Sequence, residues 1–189
     1  PMGVEDTFEG VIDIIRQKAF TFKEMELIET GIPEAYKKKT DEMRTTLIEK
    51  LADYNEEIMQ LYLDGKEVPE SLLMKAAREA TIKMLITPVF CGSAYKNKGM
   101  QILLDSIVDY LPSPIDIGAV VGMDIDDPGK SHTRHPSPKD PFAALVFKLI
   151  HDPYVGQQTF IRVYSGELKS GMQVLNSTRS KSERIGRIL

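Results

Sequence analysis

The sequence predicts an α+β multidomain chain: a small hairpin joined to a helical subdomain, an α/β strand–loop–helix, and the opening strands of an incomplete antiparallel β-barrel. Three observations predict this. Apolar residues recur at three- and four-residue steps through much of 33–85, which is the period of a helix with one buried stripe. The apolar run Ile86-Thr87-Pro88-Val89 leads into the small-residue stretch Phe90 to Gly99 and then into an amphipathic pattern, Met100 to Leu111. From Phe142 onward the period is two, and glycines 156, 166, 171 and 186 fall at strand ends, the punctuation of an antiparallel barrel.

The elements follow in chain order. Between Phe8 and Phe22, β-branched and aromatic residues favour strand, giving a hairpin at roughly 9–15 and 18–23. Met25 to Ile32 mixes charge with turn character and reads as loop. Pro33 opens a helix with Tyr36, Met43, Leu47, Ile48, Leu51 and Tyr54 on one stripe. Its other face carries Lys37, Lys38, Asp41, Glu42, Arg44, Glu49 and Lys50, which reads as a solvated face. Asn55 caps a second helix, Glu56 to Leu63, ended by Gly65. A third helix runs from Pro69 and Glu70 to about Leu85 on the stripe Leu72, Leu73, Ala76, Ala77, Ala80 and Met84. A strand near Thr87 to Cys91 then precedes the helix Met100 to Leu111, whose Ile102, Leu103, Ile107 and Leu111 face inward. Gly118 to Met123 reads as a strand, Asp126 to Ser131 as a loop with Asp-Pro-Gly turn chemistry. The expected domains are 1–85, 86–123, a linker at 124–141, and 142–189.

Composition bounds the function. The chain has 189 residues, 28% charged and 42% apolar, the make-up of a soluble globular protein. A net charge of −4 argues against a nucleic-acid surface spread over the whole chain and leaves room for a local basic patch. The single cysteine, Cys91, forbids an intrachain disulfide and points to a reducing compartment; its burial as a small hydrophobe is expected. No apolar run approaches the ~20 residues of a membrane span, and no signal-peptide pattern opens the chain. The first and last residues, Pro1 and Leu189, read as cuts in a longer protein.

The chemistry concentrates at Gly92-Ser93-Ala94-Tyr95. In open α/β sheets, ligands sit where strands end and loops lead into helices. Small residues let a backbone N–H approach a planar ligand, and an N–H or hydroxyl donates to an acceptor such as guanine O6. An ordinary strand-to-helix connection accounts for the same letters. Three other motifs fail on inspection. Gly129-Lys130-Ser131 lacks the leading glycine of a phosphate loop, with Asp124 in its place. Asp126-Asp127-Pro128-Gly129 carries Lys130 where a GTPase switch has His. Asn97-Lys98-Gly99-Met100 has a thioether where a guanine reader needs a carboxylate. His132 and His135 have too few neighbouring ligands in sequence for a metal site and read as exposed loop, and His151-Asp152 reads as a turn contact.

Gly92-Ser93-Ala94-Tyr95-Lys96-Asn97-Lys98-Gly99, followed by Leu103-Leu104-Asp105-Ser106-Ile107-Val108-Asp109-Tyr110-Leu111-Pro112-Ser113-Pro114, resembles the last nucleotide motif of the bacterial translation elongation factor G family. Pro141 to Lys148, Asp152 to Gly156, Arg162 to Gly166 and Gly171 to Leu189 resemble the start of that family's second domain, a β-barrel. The resemblance implies that 1–85 is the helical insert of a GTPase domain and that 86–123 is the remnant of an α/β P-loop GTPase domain. It implies a parent protein that uses GTP, with GDP and magnesium as companions, to move transfer RNA and messenger RNA through the ribosome in the cytoplasm. Gly92, Ser93, Ala94 and Tyr95 would then contact the nucleotide: Ser93 and Ala94 through a backbone N–H, the Ser93 hydroxyl pinning the loop, Tyr95 packing beneath it rather than stacking on the base. No catalytic residue and no metal ligand is assigned.

The P-loop, the switch and the Asn-Lys-x-Asp motif are missing from this sequence, so the fragment by itself is expected to hold no nucleotide and to hydrolyse none. The resemblance implies two ribosomal partners: the large-subunit stalk protein at the insert helices, with Lys37, Lys38, Lys39, Arg44 and Lys50 as candidates, and small-subunit ribosomal RNA at the barrel, with Lys169, Arg179, Lys181, Arg184 and Arg187. A monomer without membrane contact is expected. Two alternatives stay open: a stand-alone ribosome- or protein-binding module without nucleotide chemistry, and another translational GTPase such as a peptide release factor.

Overall fold

The computed structural model describes residues 1–23, 26–127 and 129–189. The chain divides into two units, Pro1–Pro112 and Ser113–Leu189. It is a mixed α+β architecture with several small antiparallel sheets, and no closed barrel is present among the described residues.

In the first unit, β1 (Gly10–Asp13), β2 (Lys18–Lys23) and β3 (Glu26–Thr30) form an antiparallel sheet in that order. Phe20 lies opposite Val11 and, on its other side, Glu29. Val11, Ala19 and Phe20 are buried, which is why this pair of strands holds its register. The third strand corrects the expectation of a loop from Met25 to Ile32. Leu27 and Ile28 lie against β2, at an edge that leaves every β3 residue exposed, so the mixed charge is tolerated there. Met25 lies outside the described residues.

Three helices follow: α1 (Glu34–Ala52), α2 (Glu56–Leu63) and α3 (Glu70–Ile82). The side chain of Asn55 accepts from the Ile58 amide at 3.0 Å, the N-cap that its position predicts. Leu51, Ile58, Val68, Leu73, Ala76, Ala77, Ala80 and Tyr110 make the core, with Leu51, Ile58 and Leu73 fully buried. The alanine face of α3 lets the neighbouring helices pack closely against it. α3 stops short of Leu85. Lys83 caps it and Met84 takes a left-handed φ of 56°, so Met84 leaves the expected stripe and is 90% exposed.

No strand forms at Thr87–Cys91. Residues 86–92 form neither helix nor strand. A strand exists only through bonds to a neighbour, and among the described residues no segment pairs with this one. α4 (Met100–Tyr110) forms as expected, but Ser106 and Tyr110 are its buried residues. Leu103, Ile107 and Leu111 instead line an apolar groove with Thr81, Ile86, Pro88 and Phe90. The spacing marks an apolar face and cannot say whether anything covers it.

In the second unit, Ser113 caps the short helix α5 (Pro114–Ile117) and exchanges bonds with Asp116. β4 (Val120–Met123) matches the expected strand and pairs with β5 (Ser131–Arg134), so part of the stretch read as linker is a hairpin. β6 (Ala143–Asp152) pairs with β7 (Gly156–Ser165), and β8 (Gln173–Asn176) with β9 (Lys181–Arg184). Ser165 is buried there, and no apolar side chain is, among the described residues of this unit. Among the described residues no helix is long and apolar enough to cross a membrane.

Candidate functional site

The loop ahead of α4 closes on itself. The Ser93 amide donates to the Lys98 carbonyl at 2.8 Å, and the Lys98 amide donates back to the Ser93 carbonyl at 2.9 Å. Inside that pair the Asn97 amide donates to the Ala94 carbonyl at 3.1 Å, closing a turn in which Asn97 has φ 50°. The Ser93 hydroxyl accepts from the Lys96 amide at 3.4 Å. Glycine is required at both ends of the pair. A Cβ on Gly92 would lie 2.8 Å from the Lys98 carbonyl oxygen, and Gly99 has φ 84°.

Two lysines hold the loop from outside. Lys98 Nζ donates to the Phe8 carbonyl at 2.6 Å and sits 5.8 Å from the Phe8 ring centre. Lys96 Nζ pairs with Asp6 at 3.3 Å. These contacts leave Lys98 half-buried, while Lys96 and its partner Asp6 stay exposed to solvent. They also tether the loop to residues some ninety positions earlier, which no local pattern could reveal.

The structure therefore places the four candidate residues together and divides their roles. The Ser93 amide is spent on Lys98, and its hydroxyl pins the loop. Gly92 gives close approach to the loop's own backbone. The amides of Ala94 and Tyr95 make no hydrogen bond among the described residues, in an exposed segment. Tyr95 does not pack beneath the loop: it is 99% exposed at the tip. Cys91 is also exposed rather than buried, on a segment that pairs with no strand among the described residues.

The other candidates separate in the same way. Arg44 is not on a solvated face. It is buried, donating through Nη1 to the Ile14 carbonyl at 2.8 Å and to that of Ile15, and through Nη2 to that of Val68 at 3.5 Å. Lys37 is exposed and paired with Glu34 at 2.6 Å, and Lys38, Lys39 and Lys50 are exposed. His132 lies in β5 rather than in a loop. Its Nε2 is 2.7 Å from Asp124 Oδ2, and that contact, with the Asp126 and Asp127 amides on Oδ1, holds the Asp124 carboxyl below its ordinary pKa. Of the Asp126–Gly129 stretch, Pro128 lies outside the described residues. Asp152 accepts from the Tyr154 and Val155 amides, both at 2.8 Å, and so makes the β6–β7 turn without His151. Among the described residues no group of three His, Cys, Asp or Glu could hold a metal ion.

In β8 and β9, the exposed Lys181 and Arg184 lie at the two ends of the pairing, opposite Asn176 and Gln173. Over 141–189 there are seven Lys and Arg against three Asp and Glu, a balance of +4, while 1–140 carries −8.

Residues 141–189 match the family model of elongation factor G domain 2. A crystal structure of a protein from Thermus thermophilus is similar over 98% of this chain, at 26% sequence identity and a TM-score of 0.71. The chain spans 25% of the length of that protein. The β6–β9 stretch is therefore similar to the second domain of elongation factor G, and the fold as a whole is similar to that of the Thermus protein.

Proposed function

We propose that this chain is part of a ribosomal translocase that is driven by GTP, and that Gly92–Tyr95 forms the edge of its guanine pocket. The observation that carries this is the pair of uncommitted amides at Ala94 and Tyr95, held in a self-closed loop at the start of a helix. The Ala94 amide is the donor for a carbonyl oxygen such as guanine O6, with the Tyr95 amide beside it. The Ser93 hydroxyl acts on the loop, not on the ligand. Phosphates and magnesium would be held by other segments: the described residues present no metal cluster, so no phosphoryl-transfer step is assigned to them.

The helices of 34–63 serve as the docking face for the stalk protein of the large subunit, through Lys37, Lys38, Lys39 and Lys50; Arg44 is committed to the fold. The basic β8–β9 hairpin and its flanks, Lys169, Arg179, Lys181, Arg184 and Arg187, contact the phosphates of small-subunit ribosomal RNA. The setting is cytoplasmic.

Titration of a fluorescent GDP analogue tests the reading. The full-length gene product is expected to bind it and the 189-residue chain is not. Replacing Ala94 by Pro removes the amide and is expected to weaken binding of GDP about 10-fold or more, from the loss of one buried hydrogen bond to the base. Equal binding by the wild type and the proline variant would sink the proposal.

A further inference from the structure

α4 is held at both ends, and between them Ser106 is buried while most of its apolar side chains are not. At its start, the 92–99 loop is tied to Asp6 and Phe8 by Lys96 and Lys98. Along its length Leu104 and Val108 are 63% and 75% exposed, and the Leu103–Ile107–Leu111 face is open. At its end, Arg78 from α3 donates through Nη1 to the carbonyls of Val108 at 2.9 Å and Asp109 at 2.8 Å. These are among the carbonyls that a helix C-terminus leaves without an internal partner, and a cation there opposes the negative end of the helix. Arg16, from the β1–β2 turn, closes the joint. It reaches Asp109 at 3.0 Å, Asp13 at 3.2 Å and Glu70 at 3.9 Å. Tyr110 is buried beside it, 6.0 Å from the Phe90 ring.

The geometry points to Arg78 and Arg16 as positioning residues for the Gly92–Tyr95 loop. They fix the far end of α4, and α4 is a rod of about 16 Å at ~1.5 Å per residue that carries this setting to its near end. Displacing the rod at Arg78 pulls on Gly99 and Lys98, and hence on the Ser93–Lys98 pair that shapes the loop. The helical subdomain thereby sets the presentation of the Ala94 and Tyr95 amides. This inference rests on the reading of those amides given above.

Amide hydrogen exchange on the 189-residue chain tests the joint without any nucleotide. In Arg78→Ala, exchange at the Ser93 and Lys98 amides is expected to rise about tenfold, while Ile58 and Met59, in α2, keep their wild-type protection. Arg78→Lys, which keeps the charge and one donor direction, is expected to fall between the two and guards against failure of the alanine variant to fold. A uniform rise at all amides, or an unchanged loop in both variants, overturns the proposal. In the full-length gene product, Arg78→Ala is expected to release the GDP analogue about threefold to tenfold faster than wild type. Absence of GDP binding by the wild type would overturn the functional reading alone, since the exchange result is decided independently of it.

Discussion

At the scale of single residues, burial and charge set what each group can do. Tyr110 illustrates this. Burial raises its phenol, the carboxylates of Asp13, Asp109 and Glu70 raise it further, and Arg16 opposes them, leaving it at about 12. A folded-state pKa above the unfolded value means that stability is fully present below the unfolded value, about 10, and is lost as pH rises toward 12. Thermal unfolding of wild type and Tyr110→Phe across that range checks it. The wild-type midpoint is expected to fall relative to the variant between pH 10 and about 12 and to track it below pH 9; parallel curves throughout would refute the assignment. Arg44 makes the complementary point. Its spacing puts it on the charged face of α1, yet its guanidinium satisfies three backbone carbonyls inside the fold. A long side chain on a helix can reach around to such acceptors, and residue type alone does not say that it will.

Among the elements, α2 is the one whose cause is most local. Asn55, two glutamates in the first turn and Ile58 on the buried face define it within a few residues. Asn55→Ala is expected to cost about 1 kcal/mol, measured by urea denaturation, because the Ile58 amide loses its acceptor. An unchanged midpoint would show that water replaces the cap at no cost. The helices are legible in the sequence because capping and the 3.6-residue period are encoded nearby. The strands are less so. β3 could not be read because its pairing with β2, not its own letters, makes it a strand. The strand expected at 87–91 fails for the converse reason: good strand letters without a neighbour remain coil. In the loop, the Ser93 hydroxyl accepts from the Lys96 amide, as its pinning role requires. The spending of the Ser93 amide on Lys98 and the outward Tyr95 depend on a turn closed by Asn97, which the sequence does not announce.

For the whole molecule, charge is segregated along the chain. The +4 of 141–189 against the −8 of 1–140 places the excess of positive charge at one end of the sequence. Binding of a short RNA hairpin by the 189-residue chain is expected to weaken as salt rises, with a log–log slope that drops by about one unit in each of Lys181→Ala and Arg184→Ala. A slope that neither substitution changes would remove the β8–β9 hairpin from the contact. Finally, the mutual bonds between Ser93 and Lys98 have a thermodynamic corollary. The backbone between them has surrendered its freedom during folding, so the guest proposed for Ala94 would have little chain left to immobilise. A rim of the kind proposed would be as ready empty as full, its affinity governed by how well the guest fits rather than by how far the rim must bend.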